Sequence, residues 1–457
     1  MTRKALLITG QESETVSTLA RNLIPVGGIS IFARQMKQMK AFGVTEMHVV
    51  TDWFIKDFEK EILNCTARPE KIFIHNTKDA PLKLLEHNIK GNSWLLIEEG
   101  ILIDDRIIHQ VTDHPSPTVI NLIGHNEFLE EKTTNGILLQ LDGQEGYFGS
   151  IAKLSSTTLS ANIRKLNSLE SLPNALKSIS RAEDCNIVKV IDIPLYLSRQ
   201  RRAVDLVWLP VLRREDDDKG TDMLLDQAQK NGLDWVARYI HRHVENFIVK
   251  YLCKTPITPN QVTAITSLAG LYIMYLFCSG YMLSALCAAY AVGIFYGVSD
   301  KLAAVKIQNP KFAKFTPLLE KAIEYGWYFT IATHLSTLSS PDFFAMAPYL
   351  LAAGLVLFHL ADDIQCEFFR RMTGQYIYTI KSFDQKFQLV SGNRNTQMWT
   401  LLPFALFDLW YLGFGIICAY AIITFFVHQL RLVYHLKNFM VADSKTFAEN
   451  FQKTKIL

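Results

Sequence analysis

The sequence has little net charge and few cysteines, and neither is concentrated in one part of its 457 residues. A formal net charge of +3 gives no electrostatic footprint for nucleic acid, and we expect no nucleic-acid partner. The 7 cysteines form no CxxC motif and no His/Cys cluster along the chain, which argues against a zinc site or a disulfide framework. The N-terminal KALLIT run is too short for a signal peptide, so an N-terminal domain is expected to stay in the cytoplasm.

Apolar residues are present in abundance, but they are unevenly distributed. The first half is mixed and charged, whereas 256–435 contains several long apolar runs, and the mean hydropathy is only +0.11. A soluble domain followed by a membrane domain explains this split. We expect a cytoplasmic α/β domain at 1–213, a polar linker at 214–234, an interfacial amphipathic helix at 235–253, an all-α six-helix membrane domain at 254–440 and a cytoplasmic tail at 441–457.

Six apolar segments predict six transmembrane helices. They lie at 260–279, 281–299, 317–337, 342–361, 398–413 and 415–434. The last two segments are so close that we expect a tight hairpin turning near Gly413 and Gly415. One long tilted helix is the alternative, but its length would exceed a hydrocarbon core of about 30 Å.

Basic residues are concentrated on one side of this predicted topology. The loops 300–316 and 362–397 carry lysines and arginines, whereas the short loops near Gly280, 339–342 and Gly413 carry none. Positive charge marks cytoplasmic loops. The asymmetry predicts an even number of spans and a protein integral to the cytoplasmic (inner) membrane, with both termini in the cytoplasm.

A helix that lies in the membrane interface is expected just before the first span. The run at 235–252 places its apolar residues near one face: Val236, Tyr239, Ile240, Phe247, Ile248 and Tyr251. Its charged residues fall elsewhere, as in a helix at the headgroup level. The alternative is an amphipathic helix that packs against the rest of the protein.

The segment KTPITPNQVTAITSLAGL at 254–271 resembles the start of a CDP-alcohol phosphotransferase membrane domain, and the resemblance covers about 240–440. In that family a D-x2-D-G-x2-A-R-x8-G-x3-D-x3-D signature supplies four carboxylates for a metal-assisted transfer. Here the best register places Tyr296, Ser299, Pro317 and Lys321 at the four aspartate positions. Magnesium requires hard oxygen ligands in near-octahedral geometry, which these four side chains do not supply. The resemblance therefore implies the fold without the family's reaction centre.

A rearranged carboxylate site is the alternative. Asp300, Glu320 and Glu324 are its candidate catalytic residues, and the two glutamates have i, i+4 spacing. The same three residues, together with Asp362, are candidate ligands for Mg or Mn if the protein is active; no cofactor is expected if it is not. All four carboxylates also fit ordinary charges at the cytoplasmic ends of helices.

Other charged residues of the membrane half have two interpretations. Arg370, Arg371 and Arg394 are candidates for binding lipid phosphate, since guanidinium groups match phosphate geometry, or they set the topology. Asp408 lies within the apolar run LFDLWYLG, where a carboxylate is either functional or a structural hydrogen-bond partner.

The first half of the chain alternates short apolar strands with helical patterns. The expected strands are KALLIT, EMHVVTD, KIFIHN, SWLLIEEG, TVINLIG, GILLQL and IVKVIDI. Strands that alternate with helices predict a Rossmann-like α/β domain with a mostly parallel sheet.

Residues 19–51 of this domain resemble a sugar-phosphate nucleotidyltransferase, and its PVGG motif is intact at 25–28. The resemblance implies a degenerate nucleotide site with Arg21, Gly27 and Gly28 as binding residues, Arg21 standing at the family's lysine. The family's glycine-rich phosphate loop is replaced here by TGQESETVSTLARN, in which Glu12 and Glu14 would repel a triphosphate.

The metal-binding aspartate of the same family corresponds to Gly100. Four carboxylates lie near it in sequence, and we interpret them as a strand end and a helix cap: Glu98, Glu99, Asp104 and Asp105.

The order of the two domains resembles bifunctional inositol-phosphate cytidylyltransferase/phosphotransferase proteins. Because charged residues are missing at both reaction centres, we expect a non-catalytic scaffold or regulatory subunit in phospholipid or polar head-group metabolism. The alternative is an active transferase that moves a phosphoalcohol from a CDP-alcohol to a lipid or polyol acceptor. A lipid-binding or transport role is a third hypothesis. Expected partners are membrane lipid and either a second copy of the chain or an active paralogue.

Overall fold

The computed structural model describes residues 3–9, 19–77, 93–124, 137–141, 144–166, 170–197, 200–230, 234–308, 315–338 and 346–442. The chain divides into two compact units. The first contains 1–195, 204–227 and 305–307, and the second contains 196–203, 228–304 and 308–457.

The first unit is built on an eight-stranded sheet with the order β11-β8-β10-β6-β1-β4-β5 and β9 beside β10. The strands of this unit are β1 (Arg3–Ile8), β2 (Pro25–Val26), β3 (Ile29–Ser30), β4 (Val44–Val50), β5 (Lys71–His75), β6 (Ser93–Glu98), β7 (Ile101–Ile103), β8 (Thr118–Ile123), β9 (Leu138–Leu141), β10 (Gln144–Leu154), β11 (Cys185–Lys189) and, after two strands of the second unit, β14 (Trp208–Pro210). The pairs β6–β1, β1–β4, β4–β5 and β8–β11 are parallel, whereas β10 is antiparallel to its neighbours. The predicted mostly parallel α/β sheet is confirmed.

Both faces of the sheet are buried, which explains the nearly continuous apolar strands. Along β1, Ala5 and Leu7 join one hydrophobic cluster and Leu6 and Ile8 join another, because successive side chains point to opposite faces. The helices of the unit are α1 (Ile31–Ala41), α2 (Ile55–Asn64), α3 (Asp105–Asp113), α4 (Ser156–Asn162), α5 (Leu172–Ser180) and α6 (Asp216–Ala228).

All seven expected strands are present, but the longest strand, β10, was not predicted. Gly146 and Gly149 interrupt its apolar pattern, and Ser150 has a φ of 69° where the register with β8 shifts. The indole of Trp208 donates a hydrogen bond to Ser150 Oγ (2.9 Å). The irregular strand is therefore held by a contact from a distant part of the chain.

The stretch expected to be a polar linker is ordered structure of the first unit up to residue 227. Trp208–Pro210 pairs with Ile101–Ile103, and α6 follows with three aspartates in its first turn. Acidic side chains stabilise a helix N-terminus through the helix dipole, so the DDD run starts a helix. The linker predicted at 214–234 therefore contains this helix.

In its described residues, the second unit consists of helices, their connections and a short hairpin, β12 (Tyr196–Leu197) with β13 (Arg202–Ala203). Its α-helices are α7 (Arg242–Leu252), α8 (Pro259–Cys278), α9 (Met282–Val305), α10 (Thr316–Leu338), α11 (Ala347–Thr373), α12 (Ser382–Leu389), α13 (Arg394–Leu406) and α14 (Trp410–Ala442). A π-helical turn at Ala237–His241 precedes α7. The TPNQ motif starts α8 with a capping box, in which Thr258 and Gln261 each accept a backbone N–H.

Four helices in the described ranges are long and apolar enough to cross a membrane, namely α8, α9, α11 and Trp410–Met440 of α14. Length and composition thus mark four candidate spans in these ranges instead of the six that were predicted. The third expected segment forms α10, which carries Glu320, Lys321 and Glu324. The fifth forms α13, whose 13 residues extend only about 20 Å and contain Pro403.

The turn between α13 and α14 also differs from its predicted place. The chain reverses at 407–409, where Asp408 has a φ of 56°, a left-handed conformation that aspartate tolerates better than most residues. Asp408 is thus an exposed turn residue. Gly413 lies inside α14, where an added Cβ would lie 2.7 Å from Phe404 Cβ. This glycine allows close helix packing instead of a turn.

Candidate functional site

The carboxyl end of β6 is the first candidate site, because the sequence resemblance to nucleotidyltransferases assigns the Gly100 position to a metal-binding aspartate. The Gly100 amide donates to Asn22 Oδ1 (2.9 Å), and Asn22 in turn donates to Gln35 Oε1 (3.0 Å). Gln35 then donates to the Glu98 carbonyl oxygen (2.9 Å). A Cβ on Gly100, whose φ is 67°, would lie 3.3 Å from Arg21 Cβ. Gly100 therefore lies in a tight turn that the side chains of Asn22 and Gln35 support.

The two glutamates before this turn are buried. Burial, reinforced by the neighbouring charge of Glu99, raises the pKa of Glu98 to about 8. Glu99 accepts a hydrogen bond from Thr9 Oγ1. Glu98 therefore holds its proton more tightly than an exposed glutamate does.

The structure brings Arg21 beside Gly100 and close enough to interact electrostatically with Glu98. Gly27 and Gly28 form the turn of the β2–β3 hairpin, with φ values of 60° and 77°. Such values favour glycine at both central positions. The Gly27 amide donates to Asp217 Oδ1 and Thr221 Oγ1, each at 3.0 Å. A nucleotide-binding role for these three residues stays a prediction.

The other acidic positions near β6 have structural partners. Asp104 is the N-cap of α3 and accepts from the Arg106 amide (2.9 Å), so its interpretation as a helix cap is confirmed. Asp105 accepts from Gln38 (2.7 Å). Glu12 and Glu14, in the loop expected to repel a triphosphate, lie outside the described residues.

In the helical unit, the four residues that the CDP-alcohol phosphotransferase resemblance assigns to aspartate positions have the following surroundings. Ser299 Oγ bonds to Thr263 Oγ1 (2.7 Å) and donates to the Pro259 carbonyl (3.1 Å). Lys321 Nζ forms an ion pair with Asp363 Oδ2 (2.8 Å). The Tyr296 ring lies under the Arg394 guanidinium (5.1 Å). Pro317 is the second residue of α10.

The three candidate catalytic carboxylates have separate surroundings. Asp300 is exposed and pairs with Lys230 (2.7 Å). Glu320 lies in the electrostatic field of Arg394, Asp300 and Glu324. Glu324 is buried and lies 3.3 Å from Tyr328 Oη. Their roles as catalytic groups or metal ligands stay predictions.

Glu324 belongs to a buried group that sequence reasoning missed, the central polar network of Glu324, Tyr328, His359 and Gln397. Tyr328 Oη lies 2.9 Å from Gln397 Oε1, and Gln397 Nε2 lies 2.7 Å from His359 Nε2. His359 Nδ1 is 3.8 Å from Glu324 Oε1, so the network links α10, α11 and α13. Mutually satisfied groups of this kind hold helices in one arrangement and can retain a proton. A histidine inside an apolar run was the available signal.

The arginines expected at lipid phosphate are partly neutralised. Arg370 and Arg371 both contact Glu367, at 2.6 and 2.9 Å. Arg394 faces Tyr296 and Glu320 instead. Lipid-phosphate binding by these arginines stays a prediction.

Asp362 is the predicted metal ligand that the structure places in a group of three ligand-type side chains. Its carboxylate, the Cys366 thiol and the His428 ring offer three ligand atoms within 4.8 Å of one another, and no other such group of three occurs in the described part of the chain. Its neighbour Asp363 points to Lys321.

Comparisons with known proteins give structural likeness only. No protein-family model matches the sequence, and no curated protein matches it. Over the N-terminal half, the chain is similar to inositol-1-phosphate CTP transferase from T. maritima (13% identity, TM-score 0.36, covering 49% of this chain and 94% of that one). It is also similar to HddC from Yersinia pseudotuberculosis (12% identity, TM-score 0.34, covering 49% of this chain and 99% of that one). A third similar structure is UDP-glucose pyrophosphorylase complexed with UDP-glucose (10% identity, TM-score 0.37, covering 50% of this chain and 100% of that one). Each TM-score lies below 0.5, so none of these likenesses carries a functional conclusion for this chain.

Proposed function

We propose that this chain is a non-catalytic member of the fused nucleotidyltransferase-like and CDP-alcohol phosphotransferase-like class. In this role it serves as a membrane-anchored scaffold or regulatory subunit in phospholipid or polar head-group metabolism. Its partners are membrane lipid and a second copy of the chain or an active paralogue. Both termini face the cytoplasm.

The observation that carries the proposal is the Lys321–Asp363 ion pair. CDP-alcohol chemistry needs carboxylates that hold divalent metal against a pyrophosphate. At one of the four positions this chain has instead an ammonium group, 2.8 Å from Asp363. A fixed cation repels a metal ion, and Ser299 is already committed to Thr263 and Pro259. Two of the four positions therefore have defined non-catalytic partners.

The α/β unit supports the same proposal independently. Gly100 replaces the metal-binding aspartate, and its amide is occupied by Asn22. Glu98, two residues before it, has its pKa raised to about 8 by burial.

Membrane attachment rests on the four helices that are long and apolar enough to cross a membrane. The helix α7 adds a face on which Val244, Phe247 and Tyr251 are 39%, 74% and 73% exposed. Residues spaced by three and four along a helix share one side, and this apolar side suits the interface.

An active transferase with a rearranged site is the second candidate. Glu320 interacts electrostatically with Asp300, Glu324 and Arg394, so acidic groups do lie near one another at the cytoplasmic end proposed for α10. In this alternative, Glu320 and Asp300 hold Mg or Mn and Glu324 accepts the proton of the acceptor hydroxyl.

Binding of nucleotide with metal tests the proposal. The full chain in detergent is titrated calorimetrically with CTP and with a CDP-alcohol, each with and without Mg²⁺ or Mn²⁺. We expect no metal-dependent binding. Metal-dependent binding that is abolished by Asp300→Asn or Glu320→Gln, but retained in the control variant Asp363→Asn, would support the active alternative and overturn the proposal.

A further inference from the structure

We propose that Asp362, Cys366 and His428 form a binding site for zinc or a related divalent transition metal. In the sequence, no CxxC motif or His/Cys cluster points to such a site. The three residues come from two helices, and α11 contributes two of them at i, i+4 spacing. The proposal is independent of whether the chain is a transferase.

Helix packing brings the ligands together. The helices α11 and α14 run in the same direction, since Gly354 lies near Cys418 and Asp362 near His428. Residues four apart on a helix lie on one face, so Asp362 and Cys366 both point toward α14. His428 is only 6% exposed, and its position against α11 is therefore fixed by packing.

The approach geometry distinguishes a metal site from a catalytic triad. His428 Nδ1 lies 2.8 and 3.0 Å from the two Asp362 oxygens and 4.0 Å from Cys366 Sγ. A triad places the acid on one ring nitrogen and the nucleophile on the other. Here the carboxylate and the thiol both approach the same nitrogen, and the three ligand atoms lie within 4.8 Å of one another.

The distances fit a tetrahedral metal after small adjustments. Zinc–nitrogen and zinc–oxygen bonds of about 2.0–2.1 Å and a zinc–sulfur bond of about 2.3 Å imply ligand separations of roughly 3.3–3.6 Å. The observed nitrogen–oxygen distances would lengthen by a few tenths of an ångström, and the nitrogen–sulfur distance would shorten similarly. Such shifts lie within the rotamer freedom of the aspartate and cysteine side chains.

A second observation concerns the groups around the ligands. Gln365 donates to Asp362 Oδ1 (2.6 Å) and to the Phe425 carbonyl (3.1 Å), which fixes the carboxylate from behind. Partners of this kind orient metal ligands. His428 Nε2 is buried with no hydrogen-bond partner among the described residues, and Phe387 packs edge-on against the ring (5.4 Å). The His428 ring is thus oriented with its Nδ1 atom toward Asp362.

The ligand types select the metal. Thiolate and imidazole favour zinc and neighbouring transition metals, whereas magnesium and manganese prefer oxygen ligands. Asp362 was predicted to bind Mg or Mn, and its actual neighbours indicate a softer ion. Three protein ligands leave a fourth position for water or a substrate oxygen, as in zinc sites that bind an exchangeable ligand.

Metal content of the full chain in detergent tests the site. The protein is stripped with a chelator, equilibrated with Zn²⁺ alone and analysed for zinc by mass spectrometry, with an expected content of about one ion per chain. Cys366→Ser, His428→Asn and Asp362→Asn should each weaken zinc binding at least about 100-fold, and Gln365→Leu about 10–100-fold. The matched controls Cys418→Ser, His334→Asn and Asp363→Asn should keep wild-type affinity. Equal zinc binding by the ligand variants and their controls would overturn the proposal.

Cobalt binding provides a spectroscopic test on the wild-type protein, so its result does not depend on whether a variant folds. Wild-type protein loaded with Co²⁺ should show a thiolate-to-cobalt charge-transfer band together with the intense visible bands of a four-coordinate ion. Excess Mg²⁺ should not displace it. Absence of the thiolate band in the wild-type protein, or its persistence in a folded Cys366→Ser variant, would contradict the assignment.

Discussion

Lys321 and Asp363 form an ion pair between α10 and α11, with Nζ and Oδ2 2.8 Å apart. The pair places a cation at a position where the resembling enzymes use a metal-binding carboxylate. The two side chains are 42% and 54% exposed, so solvent screens the interaction. The ion pair therefore contributes little to the stability of the helical unit.

A buried ion pair in the same unit should behave differently. Lys301 and Glu245 are 2.9 Å apart with side chains only 6% and 11% exposed. Lys301→Met leaves Glu245 buried without its partner and should cost about 3–5 kcal/mol. The control Lys321→Met should cost about 0–1 kcal/mol. Unfolding of the two variants in detergent checks this order, and equal losses would show that burial does not decide the strength of these pairs.

Glu98 should make the stability of the α/β unit depend on pH. Its folded pKa of about 8 lies above its ordinary value of 4.5, so the folded state holds the proton more tightly than the unfolded state. The stabilisation is complete below about pH 4.5 and is lost as the pH rises through 8, by up to about 1.4 kcal/mol per pH unit.

Glu98→Gln should flatten this profile, because the amide resembles the protonated acid and does not ionise. The exposed control Glu70→Gln should leave the wild-type slope unchanged. Urea unfolding of the full chain between pH 5 and pH 9, followed by the signal of the α/β unit, measures the difference. A wild-type slope that Glu98→Gln does not reduce would contradict the assignment.

Two tyrosines in the helical unit should respond in opposite ways to loss of the hydroxyl. Tyr328→Phe removes the partner of Gln397 Oε1 in the central polar network and should cost about 1–3 kcal/mol. Tyr296 Oη is buried without a hydrogen-bond partner in the described ranges, so Tyr296→Phe should be neutral or stabilising. Thermal unfolding in detergent compares them. A larger loss for Tyr296→Phe would mean that the network does not hold these helices.

The exposed apolar side of α7 should contact lipid. A photoreactive benzophenone side chain at Phe247, which is 74% exposed, should crosslink to phospholipid in native membranes. The same group at Glu59, an exposed position of the α/β unit, should not. Crosslinking at 247 to protein alone would favour the alternative of a packing helix.

The extent of sequence prediction differed between the two units for physical reasons. Buried parallel strands produce continuous apolar runs, so all seven expected strands could be located. The long strand β10 escaped because its glycines and its irregular Ser150 interrupt the pattern. Segments of similar hydrophobicity marked the helices, but neither the turn at Asp408 nor the limited length of α13 was evident from apolar content.

Sites built from distant residues were the hardest to predict. The family resemblance assigned Lys321 to an aspartate position. The sequence did not show that its ion-pair partner, Asp363, would come from a different helix. Cys366 and His428 are 62 positions apart and meet only because α11 and α14 pack together. Sequence spacing gives no sign of such convergence. The DDD run was interpreted as part of a polar linker, whereas its aspartates lie in the first turn of α6.

Turnover by the wild-type chain tests the central claim most directly. The purified full-length protein in lipid vesicles is incubated with radiolabelled CDP-alcohol, Mg²⁺ or Mn²⁺ and a lipid or polyol acceptor, and released CMP is measured. We predict release no faster than in vesicles without protein. Metal-dependent CMP release that Asp300→Asn or Glu320→Gln abolishes and Asp363→Asn leaves intact would contradict the account and establish an active transferase.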